Sequence, residues 1–192
     1  MFRCTARSPA IATSITLIRH AEKPDDIDGG KDHGVDPHGA PDPRGLSARG
    51  WQRAGALVRW IVPAGIGIAP SPIPRPQAIF AVAPSESSLR PLLTVQPLAK
   101  LLGLEVESTF ASDQVDQLLQ QVHAVPGAVL ICWRHQFMPE IAHRLCPDLV
   151  PAPQWNQHCF DQAWLFAPAG EHWTMRQVAQ QLLPGDTGPA SS

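Results

Sequence analysis

At 192 residues the chain is long enough to bury one sizeable core and little more. Its 44% hydrophobic and 17% charged composition excludes wholesale disorder, and a formal net charge of −2 argues against nucleic acid as a partner. The 21 prolines, about twice the usual share, predict long and stiff connections. Residues 1–14 carry Arg3 and Arg7 but no separate apolar core ahead of a cleavage site, and the apolar run 15–18 is far too short to span a membrane. A cytoplasmic protein with no membrane partner is the expectation. Cys4, Cys132, Cys146 and Cys159 are widely spaced with no CxxC pair, so reduced thiols are expected.

Ser14-Ile15-Thr16-Leu17-Ile18-Arg19-His20-Ala21-Glu22-Lys23-Pro24 is the first informative stretch. Four β-friendly residues, 15–18, predict a strand buried on both faces, and Arg19 and His20 follow at its carboxyl end. In open α/β sheets that edge is where ligands bind. Arg offers a fork for phosphate or carboxylate, and His titrates near neutrality. Residues 25–44 hold Gly, Pro, Asp and His with almost nothing apolar, which predicts an exposed loop, either a lid or a solvated connection. Ser47 is a good N-cap for a helix ending near Pro63, with Trp51, Ala54, Ala56, Val58 and Ile61 as its buried stripe.

Residues 64–76 form a proline-rich connection, and 77–83 read as a second buried strand. Ser87 or Ser88 caps a helix running toward Leu102, which Gly103 stops and Pro97 is expected to kink or split. A short strand is expected over 104–107, a helix over 113–122 and a third buried strand over 128–133, running into Arg134-His135-Gln136. A short helix over 139–146 precedes two final strands, 159–166 and 173–178, joined through Pro168-Ala169-Gly170. This alternation predicts an α/β domain with a mostly parallel sheet covered on both faces. Residues 1–183 are expected to form one domain and 184–192 a disordered tail.

If the inner strands are parallel, Arg19, His20, Arg90 and His135 gather at one sheet edge. Two guanidinium groups and two imidazoles there make a trap for a dianionic phosphoryl group. One His could attack phosphorus while the other stabilises the equatorial oxygens, chemistry that needs no metal or cofactor. The remaining histidines (His33, His38, His123, His143, His158, His172) follow no metal-ligand spacing and are expected at the surface or in the hairpin. Trp133, Trp155 and Trp164 are expected in the core or the pocket wall.

Four stretches in order then carry a resemblance. They are Leu17-Ile18-Arg19-His20-Ala21-Glu22, Leu46-Ser47-Ala48-Arg49-Gly50-Trp51-Gln52-Arg53-Ala54, Ser88-Leu89-Arg90 with Thr94 and Leu98-Ala99, and Val129-Leu130-Ile131-Cys132-Trp133-Arg134-His135. Over roughly 15–166 the chain resembles the histidine phosphatase superfamily, also called the phosphoglycerate mutase-like family. The resemblance implies a three-layer α/β/α sandwich in which His20 becomes phosphorylated, Arg19 and Arg90 hold the phosphoryl oxygens and His135 completes the pocket. Lys23 would add charge at the pocket rim. Glu22 would orient His20 or a neighbouring backbone group, or simply be solvated.

The chain also departs from the family. Ala21 stands where Gly is usual, 25–28 offers carboxylates where mutase-type members carry an Asn, and Gln136 replaces the proton-donating Asp of the phytase-like branch. The general acid is therefore sought at Glu107 or Asp113, in the region that supplies it in the mutase-type branch. The implied function is metal-independent hydrolysis of a phosphomonoester or phosphoprotein, since nothing marks the acceptor site a mutase requires. The alternatives are a phosphate-binding or scaffolding protein of the same fold with little turnover, and a metal-dependent hydrolase.

Overall fold

The computed structural model of the chain describes residues 12–24, 33–151, 153–170 and 172–188. Among these, six strands and four helices occur in the order β1 (Ala12–Arg19), α1 (Ala48–Ile61), β2 (Ala78–Ala81), α2 (Arg90–Leu102), β3 (Val106–Glu107), α3 (Val115–Ala124), β4 (Gly127–Trp133), α4 (Met138–Leu145), β5 (Gln162–Ala169) and β6 (His172–Ala179). The strands form one sheet in the order β3-β2-β4-β1-β5-β6. β1 is parallel to β4, and β2 is parallel to both β3 and β4. β5 runs antiparallel to β1 and turns back into β6, completing a mostly parallel sheet with an antiparallel edge.

The inner strands are apolar without interruption because both faces are covered. Side chains alternate across a strand. Ile15, Leu17, Val129, Ile131 and Trp133 accordingly pack against Leu118 and Val122 of α3 and Met138 and Ile141 of α4. Ile18, Ile79, Ala81, Leu130 and Cys132 pack on the opposite face against Leu57 and Ile61 of α1 and Val95, Leu98 and Ala99 of α2. This is the expected three-layer α/β/α sandwich. Trp133, Trp155 and Trp164 all belong to the core of the α3–α4 face, and the six histidines set aside above are all exposed.

Four local expectations are corrected. α1 is capped by Ser47, whose hydroxyl accepts the Gly50 amide at 3.0 Å, but its buried face is Gly50, Arg53, Ala54, Leu57 and Ile61. Trp51, Ala56 and Val58 are only half-buried. α2 runs unbroken past Pro97, because Val95, Leu98 and Ala99 bury on both sides of the missing amide, and left-handed Gly103 (φ 67°) ends it.

The long connection is not simply exposed. Val35 donates to the Leu46 carbonyl at 2.9 Å, Asp42 donates to Gly34 at 2.7 Å, and the Trp51 indole donates to Val35 at 3.1 Å. Residues 25–32 of that connection lie outside the described residues. Finally, 184–188 is tied down rather than disordered: Asp186 forms an ion pair with the buried Arg53 at 2.7 Å. Residues 189–192, like 1–11, lie outside the described residues.

Candidate active site

Parallel pairing decides where the chemistry collects. Arg19 is in register with Trp133, so Arg19-His20 and Arg134-His135 leave the sheet side by side from β1 and β4. β2 ends level with them, with Ala81 opposite Cys132, and leads through the turn at 85–88 to Arg90 at the start of α2. From the other side antiparallel β5, with Ala163 opposite Ile18, brings 156–162 to the same edge.

His20 is only 8% exposed. Its amide donates to the Trp133 carbonyl at 3.3 Å, which extends the β1–β4 ladder by one residue. Nδ1 lies 2.8 Å from the Ala21 carbonyl. A carbonyl only accepts, so Nδ1 carries the proton and Nε2 presents its lone pair. Burial, followed by the charges of Arg19, Arg90 and His135, pushes the His20 pKa down to about 3, against the opposing pull of the Ala21 hydrogen bond. The ring is a neutral nucleophile at physiological pH.

Thr94 ties this nucleophile to α2. Its hydroxyl accepts the Ala21 amide at 2.8 Å and donates to the Arg90 carbonyl at 2.7 Å. Ala21 itself is fully buried, so only a small side chain fits there.

Arg19 is 4% exposed. Its Nη1 donates to the carbonyls of Gln157 and, at 3.3 Å, Cys159, and its guanidinium lies 3.8 Å over the Phe160 ring. Burial draws its pKa down to about 10, opposed by Cys159 and Glu22. The Phe160 ring also stands 6.3 Å from His20, making it a wall of the site. Arg90 is half-buried; it donates to the carbonyls of Pro43 at 3.3 Å, Arg44 at 3.4 Å and Ser87 at 3.4 Å. The Leu89 amide bonds the Arg44 carbonyl at 3.0 Å, so the connection before α1 helps to seat Arg90.

His135 has its pKa lowered by burial and then by the charges of Arg19 and Lys23, the latter an exposed residue. Three polar nitrogens here are buried without a hydrogen-bond partner among the described residues: Nε of Arg19, Nε of Arg90 and Nδ1 of His135. Buried polar groups are normally satisfied, so these fit an oxyanion-binding role.

The structure therefore brings together His20, Arg19, Arg90 and His135, and the Lys23 charge acts on His135. Glu107, at the end of β3, accepts the Thr109 hydroxyl at 2.7 Å. After β3 the chain returns to the sheet edge, where the Ala83 amide donates to the Phe110 carbonyl at 2.8 Å and the Trp133 indole donates to the Ser112 carbonyl at 3.0 Å. Asp113 is exposed ahead of α3. Among the described residues neither Glu107 nor Asp113 forms a hydrogen bond or ion pair with His20 or His135.

Glu22 neither orients His20 nor is simply solvated. Its carboxylate receives Arg53 Nε at 3.0 Å and Nη2 at 2.7 Å, and Arg49 Nε lies 3.2 Å away. The Ser47 amide bonds its carbonyl at 3.1 Å, and Gly50 packs so closely that a Cβ there would stand 2.5 Å from the Glu22 carbonyl oxygen. A cavity of about 790 Å³ adjoins this network and reaches Cys159 and Phe160.

Phe160, the carbonyls of Gln157 and Cys159, and Arg134 escaped sequence reasoning. The first three gave no motif signal; Arg134 did, as half of the second Arg-His pair. No group of three or more potential metal ligands occurs among the described residues, and no helix among them is long and apolar enough to cross a membrane.

A mostly parallel six-stranded sheet between two helical layers is the fold of the phosphoglycerate mutase-like proteins. Among solved structures, the chain resembles phosphoglycerate mutase from Bacillus anthracis at TM-score 0.54 and 9% identity, covering 88% of this chain and 93% of that one. It resembles phosphoglycerate mutase from Plasmodium falciparum at 0.52 and 10%, covering 94% and 98%. A candidate alpha-ribazole-5'-P phosphatase from Escherichia coli gives 0.53 and 13%, covering 88% and 96%. No family model and no curated protein sequence matches the chain.

Proposed function

We propose that the protein is a phosphohydrolase working through a phosphohistidine at His20. The observation that carries this reading is a buried imidazole, fixed as the Nδ1–H tautomer by the Ala21 carbonyl at the sheet edge to which Arg19, Arg90 and His135 are also brought. In the proposed reaction His20 Nε2 forms a bond to phosphorus as the bond to the leaving oxygen breaks. Water then attacks the same phosphorus, the P–N bond breaks, the lone pair returns to Nε2 and the water's proton leaves to solvent. Arg19, Arg90 and His135 stabilise charge on the equatorial oxygens throughout.

Glu22 is engaged by Arg53, Glu107 is held by Thr109, and Asp113 is exposed. The reading therefore favours leaving groups of low pKa, which depart with little protonation. The same observation favours, as a second reading, a phosphate-binding protein with little turnover. The likeness to phosphatases and mutases supports the general chemistry and leaves the choice of substrate to experiment.

The test is hydrolysis of p-nitrophenyl phosphate by wild type and His20→Ala in excess chelator, with trapping of labelled phosphoenzyme. The expected result is turnover and label in wild type, with a loss of at least about 1000-fold in the variant. Undiminished turnover in His20→Ala removes the phosphohistidine. Turnover that disappears with chelator points to metal-dependent hydrolysis, and phosphate binding without turnover leaves the binding reading.

A further inference from the structure

Beside the phosphoryl pocket stands a third guanidinium that the hydrolysis above does not use. Arg134, the first residue after β4, is half-buried and reaches Ser85 Oγ with Nη2 at 3.5 Å. Arg90 reaches the same turn, with Nη2 on the Ser87 carbonyl at 3.4 Å. The turn is closed by reciprocal amide–carbonyl bonds between Ser85 and Ser88 at 3.0 and 3.3 Å, and the Ser85 and Ser87 hydroxyls lie 3.2 Å apart. Two guanidinium groups thus hold one four-residue turn, close enough that the Arg134 charge adds to burial in lowering the Arg90 pKa.

Like charges gathered in a partly desolvated site cost free energy unless anions accompany them. Arg53 shows how this chain treats a buried cation, matching it with two carboxylates. No such match exists here: among the described residues, Arg19, Arg90, Arg134 and Lys23 form no ion pair. One phosphoryl dianion balances two of these four charges.

Resting on the phosphohydrolase reading, we propose that Arg134 and the Ser85 and Ser87 hydroxyls form a second anion subsite for a carboxylate or second phosphate on the same substrate. Its direction follows from the sheet. β4 lies between β2 and β1, so the subsite is on the β2 side of the phosphoryl pocket, while Phe160 closes the β5 side. Arg134 keeps its remaining N–H groups for a ligand, and a guanidinium fork suits either oxyanion. Serine hydroxyls rotate to donate to the same group.

The test compares phenyl phosphate, 3-carboxyphenyl phosphate and benzene-1,3-diyl bisphosphate. The readout is the ratio of kcat/KM for each doubly anionic substrate to that for phenyl phosphate. Wild type is expected to favour at least one of them by about tenfold, the factor one well-made charged contact supplies. Which one it favours tells carboxylate from phosphate. Arg134→Gln should abolish the preference, Arg134→Lys should keep part of it, and Ser85→Ala should weaken it. Titration calorimetry on His20→Ala reads the same preference as a ratio of Kd values without depending on the chemical step. Failure of the phosphohistidine reading, seen as undiminished hydrolysis in that variant, is thereby separable from failure of the subsite. A wild-type ratio near one for both probes, or a preference that survives Arg134→Gln, overturns the proposal.

Discussion

His20 differs from a free histidine in two respects: the Ala21 carbonyl selects its tautomer, and burial with nearby cations keeps it neutral. Its pKa is about 3 folded, against about 6.5 for an unperturbed imidazole. Above about pH 6.5 both states are neutral. As pH falls toward 3 the unfolded chain takes up a proton that the folded chain refuses, so the stability associated with this site is lost through that window. Two results are expected. Nitrogen-15 NMR should show His20 as neutral imidazole with Nδ1–H at pH 5, and urea unfolding should show a smaller decline in stability from pH 7 to 5 in His20→Gln than in wild type. A doubly protonated His20 ring at pH 5 would refute the nucleophile described here. The residue's identity could be read from its strand, but its protonation could not, because burial is set by tertiary packing and Arg90 and His135 are distant in sequence.

α1 shows how an element can be legible in sequence while its orientation is not. Ser47 announces its start, yet the inward row Gly50, Arg53, Ala54, Leu57 and Ile61 contains a charged residue that hydrophobic periodicity assigns to solvent. Arg53 is buried because Glu22 and Asp186 meet it, one just beyond the nucleophile and the other near the end of the described chain. Burial alone would lower the Arg53 pKa, but the carboxylates of Asp186 and Glu22 hold it raised. In return Arg53 keeps Asp186 at about 2 despite the opposing effect of burial. The same carboxylate caps the Leu182 and Leu183 amides at 2.9 and 3.0 Å, which orders a stretch whose composition reads as a loose tail. Breaking a buried ion network from one side leaves charge uncompensated. Arg53→Met is therefore expected to cost about 3–5 kcal/mol in urea unfolding, and adding Asp186→Leu should recover part of that loss. Equal or greater loss in the double variant would mean that Asp186 acts through packing and not through charge. Pro97 gives a parallel lesson, since local chemistry predicts a break that packing on both sides prevents.

At the scale of the whole molecule, parallel pairing of β1, β4 and β2 collects cations that are scattered in sequence on a protein of formal net charge −2. The buried strand runs made this architecture readable. The walls supplied by 156–162 were not, because they depend on antiparallel β5 arriving at the same edge. For an approaching phosphate ester the net charge and the local cluster act in opposite directions. The net charge is spread over a body with a radius of gyration of roughly 16 Å for this length, whereas the guanidinium groups line the place the ester enters. Screening tells the two apart, since the Debye length shrinks from about 30 Å at 0.01 M salt to about 10 Å at 0.1 M. If the local cations dominate, kcat/KM for an aryl phosphate falls severalfold across that range at constant pH; if the net charge dominates, it rises. We expect the fall, with a shallower slope in Lys23→Gln, because Lys23 is exposed and its charge acts on His135. A rise with salt in wild type would show that the cluster does not govern substrate approach.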